Sequence, residues 1–196
     1  MGKTMVENVI ENVRPLDRHG DVFVADQKAV GRTSGAMQTI QRALVQANPR
    51  FDESLVIANC DQLLAIPEHI LASGIGHGVV FTFKSASPAH SYVTTTAAGR
   101  ITSIVEKPEI PPTDKAVSGV YWFVNRYAIE IAIKDMLALP VTGSMEQYLS
   151  RAIQHMVDQE YSLYAVDAPT AILGTPEDFQ RFETALAVIL SQMAQS

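Results

Sequence analysis

Cysteine is almost absent from this chain: Cys60 stands alone among 196 residues. That excludes an intrachain disulfide and any zinc site built from cysteines. It agrees with a reducing compartment, so a cytoplasmic location is expected. An excess of positive charge is lacking too. Lys and Arg number 15 against 21 Asp and Glu, for a formal net charge of −6. Nucleic acid as a main partner needs a basic face to meet phosphates, and is not expected. A small anionic ligand stays open, because a local site can oppose the overall charge. No apolar run approaches the ~18 residues of a membrane span, so no membrane partner is expected. The opening "MGKTMVENVI" has no long apolar stretch of the kind that marks a signal peptide. Internal repeats and low-complexity segments are absent as well. What remains is an ordinary globular balance, 47% hydrophobic and 18% charged. The length suits a single domain over 1–196 with its own core.

Helix-like and strand-like patterns alternate through the first 75 or so residues. Thr4 and Glu7 have capping-box spacing, and Met5, Val6, Val9, Ile10 and Val13 form one apolar face that Pro15 stops. "DVFVAD", residues 21–26, reads as a short buried strand. Ser34 is expected to cap a second amphipathic helix with Met37, Ile40, Ala43, Leu44 and Ala47 inward. "SLVIANCD", 54–61, reads as an apolar strand with a polar end, and Pro67 as the start of a short helix reaching Gly74. Such alternation marks parallel α/β structure. Further on, "HGVVFTFKS", "SYVTTTAAGRITSIVEK" and "GVYWFV" read as successive strands, with a turn at Ala98-Gly99. Helices are expected near 125–138 and 145–158, followed by the strand "YSLYAVDA". The last helix opens with Thr175 as cap, Pro176 in its first turn, and Glu177 and Asp178 at the positive end of the dipole. Its expected inward face is Phe179, Phe182, Leu186, Ile189 and Met193. The fold class is α/β, a three-layer α/β/α sandwich around a mixed, mainly parallel central sheet.

Three groups of residues carry candidate chemistry. Asp61 closes the most apolar strand, and ligands of open α/β sheets lie beyond such carboxyl ends. A carboxylate there suits Mg²⁺, which takes oxygen ligands and bridges phosphates. Asn59, two residues earlier, points the same way; the competing role for Asp61 is to cap the turn before "LLAIP". Ser34-Gly35 opens a helix whose free N–H groups favour a base edge or a phosphate, or it is an ordinary helix cap. Glu106 and Lys107 end a strand. Adjacent strand residues face opposite sides, so the two share a site only if the chain turns there, as Pro108 allows. Cys60 reads as a buried apolar residue, and the histidines at 19, 69, 77, 90 and 155 lack metal-ligand spacing.

The order of these pieces resembles the sugar-phosphate nucleotidyltransferases, more narrowly their capsule and lipopolysaccharide branch, over nearly all of the chain. "TSGAMQTIQRAL" resembles the segment that contacts the nucleobase. "LVIANCDQLL" resembles the strand ending in the metal-binding aspartate. "SYVTTTAAGRITSIVEKP" resembles the substrate-covering hairpin that ends in Glu-Lys-Pro, and "SGVYWF" the Gly-φ-Tyr strand. "SMEQYLSRAI" and "LGTPEDFQRF" resemble the late helix and the closing Gly-Thr-Pro-Glu-Asp motif. The resemblance implies catalytic roles for Asp61 and Lys107, with Asp61 holding Mg²⁺. It implies substrate contacts from Ser34, Gly35, Asn59, Glu106, Gly119 and Glu146. Glu106 would accept sugar hydroxyls, Lys107 would meet the phosphate, and Gly119 would floor the sugar pocket. The implied partners are a nucleoside triphosphate and a sugar 1-phosphate, or a nucleotide-sugar; a homo-oligomer is left open.

Two departures accompany the resemblance. The family opens with a strand and a Gly-rich loop whose Arg and Lys cradle the triphosphate, and this chain begins at what resembles the following helix. An N-terminally shortened domain is therefore expected, with the strands "DVFVA" and "LVIAN" left with unpaired edges. Many relatives also place a second metal-binding Asp where Ile172 stands in "AILGT", and Asp167 is the candidate substitute. Two other functions compete: a catalytically inactive nucleotide-sugar-binding chain, and a metal-dependent glycosyltransferase.

Overall fold

A computed structural model describes residues 3–16, 20–67, 76–140 and 147–193, with the side chains of 188–190 excepted. Five antiparallel or parallel pairings assemble the main sheet from β1 (Leu55–Ala58), β3 (Gly78–Lys84), β4 (Tyr92–Thr95), β5 (Ile101–Val105), β6 (Lys115–Phe123) and β7 (Leu163–Asp167). Its order is β5-β4-β6-β3-β7, with β1 paired beside β4 on the same edge of the long β6. The registers set β1, β3, β4 and β7 in one direction and β5 and β6 in the other. The sheet is thus mixed and mainly parallel in strand direction, while only β3 and β7 pair as parallel neighbours. A second, two-stranded sheet joins β2 (Gln62–Leu64) to β8 (Thr170–Ile172).

Helices cover both faces. On one face Val80, Val93, Ile101, Tyr121 and Phe123 pack under α3 (Ala36–Ala47), α4 (Arg126–Ala138) and α5 (Leu149–Asp158). Ile129 and Ile133 of α4 and Ile153 and Met156 of α5 are fully buried at helical spacing. Each such side chain contributes about 1.5–3 kcal/mol by leaving water. On the other face Val79, Phe81 and Val120 meet Val13 of α1 (Met5–Val13), Leu16 of the 3-10 turn that follows, and Leu64 of β2. Asn12 fastens α1 to β2 by bonding both the N–H and the C=O of Leu64, at 2.8 and 2.6 Å. This is the expected three-layer sandwich. The capping box of Thr4 and Glu7 forms, and the helix ends just before Pro15. Thr175 accepts from the N–H of Asp178 at the start of α6 (Pro176–Met193).

Several expectations are corrected. Residues 21–26 form no strand: Val22, Phe23 and Val24 are 48, 39 and 46% exposed, and among the described residues no neighbouring strand supplies the ladder that an isolated extended segment needs. A short helix, α2 (Gln27–Val30), follows them, capped by Asp26. Ser34 does not cap α3. Gly35 occupies that position without a side chain, and the Ser34 hydroxyl instead donates to Gln147 Oε1 at 2.7 Å. Of the expected inward face of α6, Phe179, Leu186 and Met193 are exposed and Phe182 is half-buried, because among the described residues the helix touches little beyond β8; the Ile189 side chain lies outside the described residues. Cys60 is exposed rather than buried. The strand expected at Gly119 begins earlier, at Lys115, and β2 and β8 are too short for any periodic signal. The helix expected from Pro67 falls at 68–75, outside the described residues.

Candidate functional site

Glu106 and Lys107 do share a site, because the chain turns between them. Lys107 has φ 40, a left-handed conformation that costs a residue with a Cβ about 1–2 kcal/mol. With Pro108 next, this bend swings both side chains onto the start of α5. Glu106 Oε2 accepts from Ser91 Oγ and from Ser150 Oγ, each at 2.6 Å. Lys107 Nζ donates to the Tyr148 hydroxyl at 2.7 Å and lies 4.3 Å from that ring's centroid, a cation–π contact. Beneath them Tyr121 is buried; burial first, and then the charge of Glu106, hold its phenol far above the ordinary range. It therefore stays protonated. Glu106 and Ser150 also line a cavity of about 270 Å³ with Ile104, Arg151 and Gln154.

The Ser34-Gly35 loop meets the same helix start. Gly35 has φ 154, and a Cβ on it would lie 2.8 Å from the backbone nitrogen of Gln147. The Gln147 carbonyl accepts from Met37 N–H at 2.9 Å. Residues 147–150 thus touch Ser34, Gly35, Glu106 and Lys107. The neighbouring Glu146 lies outside the described residues.

A second cluster forms where β1 ends. The Asn59 N–H donates to the Gly119 carbonyl at 3.1 Å. Gly119 has φ 83, and a Cβ there would collide with the Asn59 amide and come within 2.7 Å of Gln62 Nε2. Glycine at this point is what lets the two amides approach the strand. Gln62 is only 2% exposed, and its Nε2 has no hydrogen-bond partner among the described residues. No periodicity marks Gln62 in the sequence; its place directly after Asp61 is the one available signal. Asp61 is half-buried, and its carboxylate makes no hydrogen bond among the described residues, which removes the turn-capping role. Its backbone carbonyl instead accepts from Leu173 N–H at 2.7 Å, and a Cβ on Gly174 would lie 2.9 Å from Oδ2. Gly174 therefore leaves room at the carboxylate.

Among the described residues no three His, Cys, Asp or Glu gather as a metal cluster. Mg²⁺ does not require one, since it keeps several waters and uses one or two carboxylates plus phosphates. The open Asp61 carboxylate fits that demand. Asp167, the candidate second carboxylate, is engaged by other groups: Lys115 holds it at 2.8 and 2.9 Å, and the Thr82 hydroxyl at 2.6 Å. Burial pushes the Asp167 carboxyl up, but those bonds together outweigh it and leave the carboxyl below its usual value.

No curated protein matches the sequence. The fold is similar to that of a nucleoside-diphosphate-sugar pyrophosphorylase from Vibrio cholerae, with a TM-score of 0.66 and 17% identity over 77% of this chain and 65% of that one. It is also similar to a UDP-glucose pyrophosphorylase complexed with UDP-glucose, with a TM-score of 0.64 and 14% identity over 80% of this chain and 63% of that one. The chain thus spans somewhat less than two thirds of the length of either structure. A family profile described as nucleotidyl transferase matches residues 33–187, which hold Ser34, Asp61, Glu106, Lys107 and Gly119. On that match, across most of its length, the chain belongs to the nucleotidyl transferase family.

Proposed function

We propose that this chain binds a nucleotide-sugar at the carboxyl ends of its strands and, as a single domain, forms one from a sugar 1-phosphate and a nucleoside triphosphate. The reaction would supply precursors for polysaccharide or capsule synthesis in the cytoplasm. A phosphate oxygen of the sugar 1-phosphate attacks the α-phosphorus of the triphosphate, and pyrophosphate leaves with the electrons of the broken P–O bond. No covalent enzyme intermediate is needed, so the protein's task is positioning and charge neutralisation. Lys107 meets the phosphate of the sugar end, Glu106 accepts sugar hydroxyls, and Ser34 and Gly35 face the base. Gly119 floors the sugar pocket beside Asn59 and Gln62. Mg²⁺ is the cofactor in this reading: Asp61 would hold it, and the bound ion would neutralise phosphate charge.

The observation that carries this reading is the unpartnered amide of Gln62 against Gly119. A buried donor without an acceptor costs about 1–3 kcal/mol, which an oxygen-rich ligand over that glycine relieves. The similarity to a UDP-glucose-bound structure makes UDP-glucose the first probe. Calorimetric titration with UDP-glucose and other nucleoside diphosphate sugars, with Mg²⁺ present, should give at least one dissociation constant well below millimolar. If none binds below that level, the reading fails. Pyrophosphate release from triphosphate and sugar 1-phosphate then separates turnover from binding alone.

A further inference from the structure

Glu106 is held asymmetrically. Both of its hydrogen bonds fall on Oε2, from Ser91 Oγ and Ser150 Oγ at 2.6 Å each, while Oε1 accepts none among the described residues. A carboxylate offers about four lone-pair sites. Two donors on one oxygen therefore fix the side chain and leave the other oxygen with its full accepting capacity. Each serine hydroxyl has a single proton, and both are directed at Glu106. Ser150 is only 4% exposed, on a helix face otherwise made of Leu149, Ala152, Ile153 and Met156. Packing alone would be served there by alanine, and a buried hydroxyl is costly unless bonded. Its position in the first turn of α5 also places the carboxylate at the positive end of that helix. Two residues earlier, Tyr148 treats Lys107 similarly, taking one of its three N–H donors.

We infer that Ser150, acting with Ser91, is a positioning residue that presents Oε1 of Glu106 to a hydroxyl of the bound sugar. The inference rests on the reading of this site as a nucleotide-sugar site, and its test keeps the two separable. Ser150→Ala should weaken UDP-glucose binding about fivefold, since Ser91 alone restrains Glu106 only in part, yet leave UDP binding within about twofold. Ser150→Thr, which keeps the hydroxyl, should restore UDP-glucose binding. Equal losses for UDP-glucose and UDP, or no loss for either, overturn the inference. A second readout needs no ligand: carbon–carbon couplings along the Glu106 side chain, measured by NMR. The wild type and Ser150→Thr should show one fixed rotamer and Ser150→Ala an averaged one. Unchanged couplings in Ser150→Ala overturn the inference even if UDP-glucose binds. Should the wild type bind neither ligand, the function reading fails by itself and the couplings decide the role of Ser150.

Discussion

The two ends of the candidate site are built in opposite ways. At the α5 end the polar and charged groups already have partners: Glu106 has two serines, Lys107 has Tyr148, and Ser34 has Gln147. At the Asp61 end the Asp61 carboxylate and the Gln62 amide nitrogen make no hydrogen bond among the described residues, although Gln62 is buried. Groups already held by partners are preorganised, and a ligand meets them without reordering side chains. Unsaturated buried groups hold back free energy that a ligand releases. The α5 end should therefore govern orientation and the choice of sugar, and the Asp61 end should govern strength.

The sharpest way to break this comparison is Asp61→Asn. The amide keeps the shape and loses the charge, so Mg²⁺-dependent UDP-glucose binding should weaken more than about tenfold, and Mg²⁺-free binding less than about twofold. Equal losses with and without Mg²⁺ in calorimetry would make Asp61 an ordinary polar contact. At the other end Lys107→Ala and Lys107→Gly form a pair. Both should weaken UDP-glucose binding severalfold. The glycine variant, freed of the cost of a left-handed Cβ, should be the more stable of the two by about 1 kcal/mol, or ~2–4 °C in melting temperature. Equal melting temperatures would show that the bend is not strained. The smallest effect concerns Asp167, which lies outside both ends. Its folded carboxyl sits below the ordinary value, so its contribution is present above that value and is lost as pH falls through the folded one. Asp167→Asn should flatten the loss of stability that urea melts record between neutral pH and pH ~3. The change should be slight, because the Asp167 side chain is 67% exposed and its pair with Lys115 is screened.

Strands with long apolar runs and helices with clear caps were legible in the sequence. β3, β5, β7, α1, α4 and α6 fall where the patterns put them. Failures arose where local pattern and tertiary partner disagree. "DVFVAD" has strand-like residues and, among the described residues, no strand beside it. The α6 periodicity is real, but among the described residues no layer covers Phe179, Leu186 or Met193. Gly35 takes the cap position from Ser34 because Gln147 packs where a Cβ would be, and nothing near residue 35 announces a contact from more than a hundred residues away. At the site, Glu106 and Lys107 could be found as a pair, since Pro108 signals the turn. Ser91, Ser150 and Gln62 could not, because their roles exist only once distant segments meet.

The long strand β6 also orders the way this molecule can be made. β6 pairs with β1, β3 and β4, all of which precede it in the chain, so those pairings need no residue beyond Phe123. As the polypeptide emerges from the ribosome, Gly119 can meet Asn59 and Gln62 while α5 and β7 are still unmade. The surroundings of Asp61 cannot close so early, because they await Leu173 and Gly174. Vectorial synthesis would thus lay the Gly119–Asn59–Gln62 cluster first and finish the Asp61 end last. A nascent chain stalled between these points would carry that cluster without its completed Asp61 end.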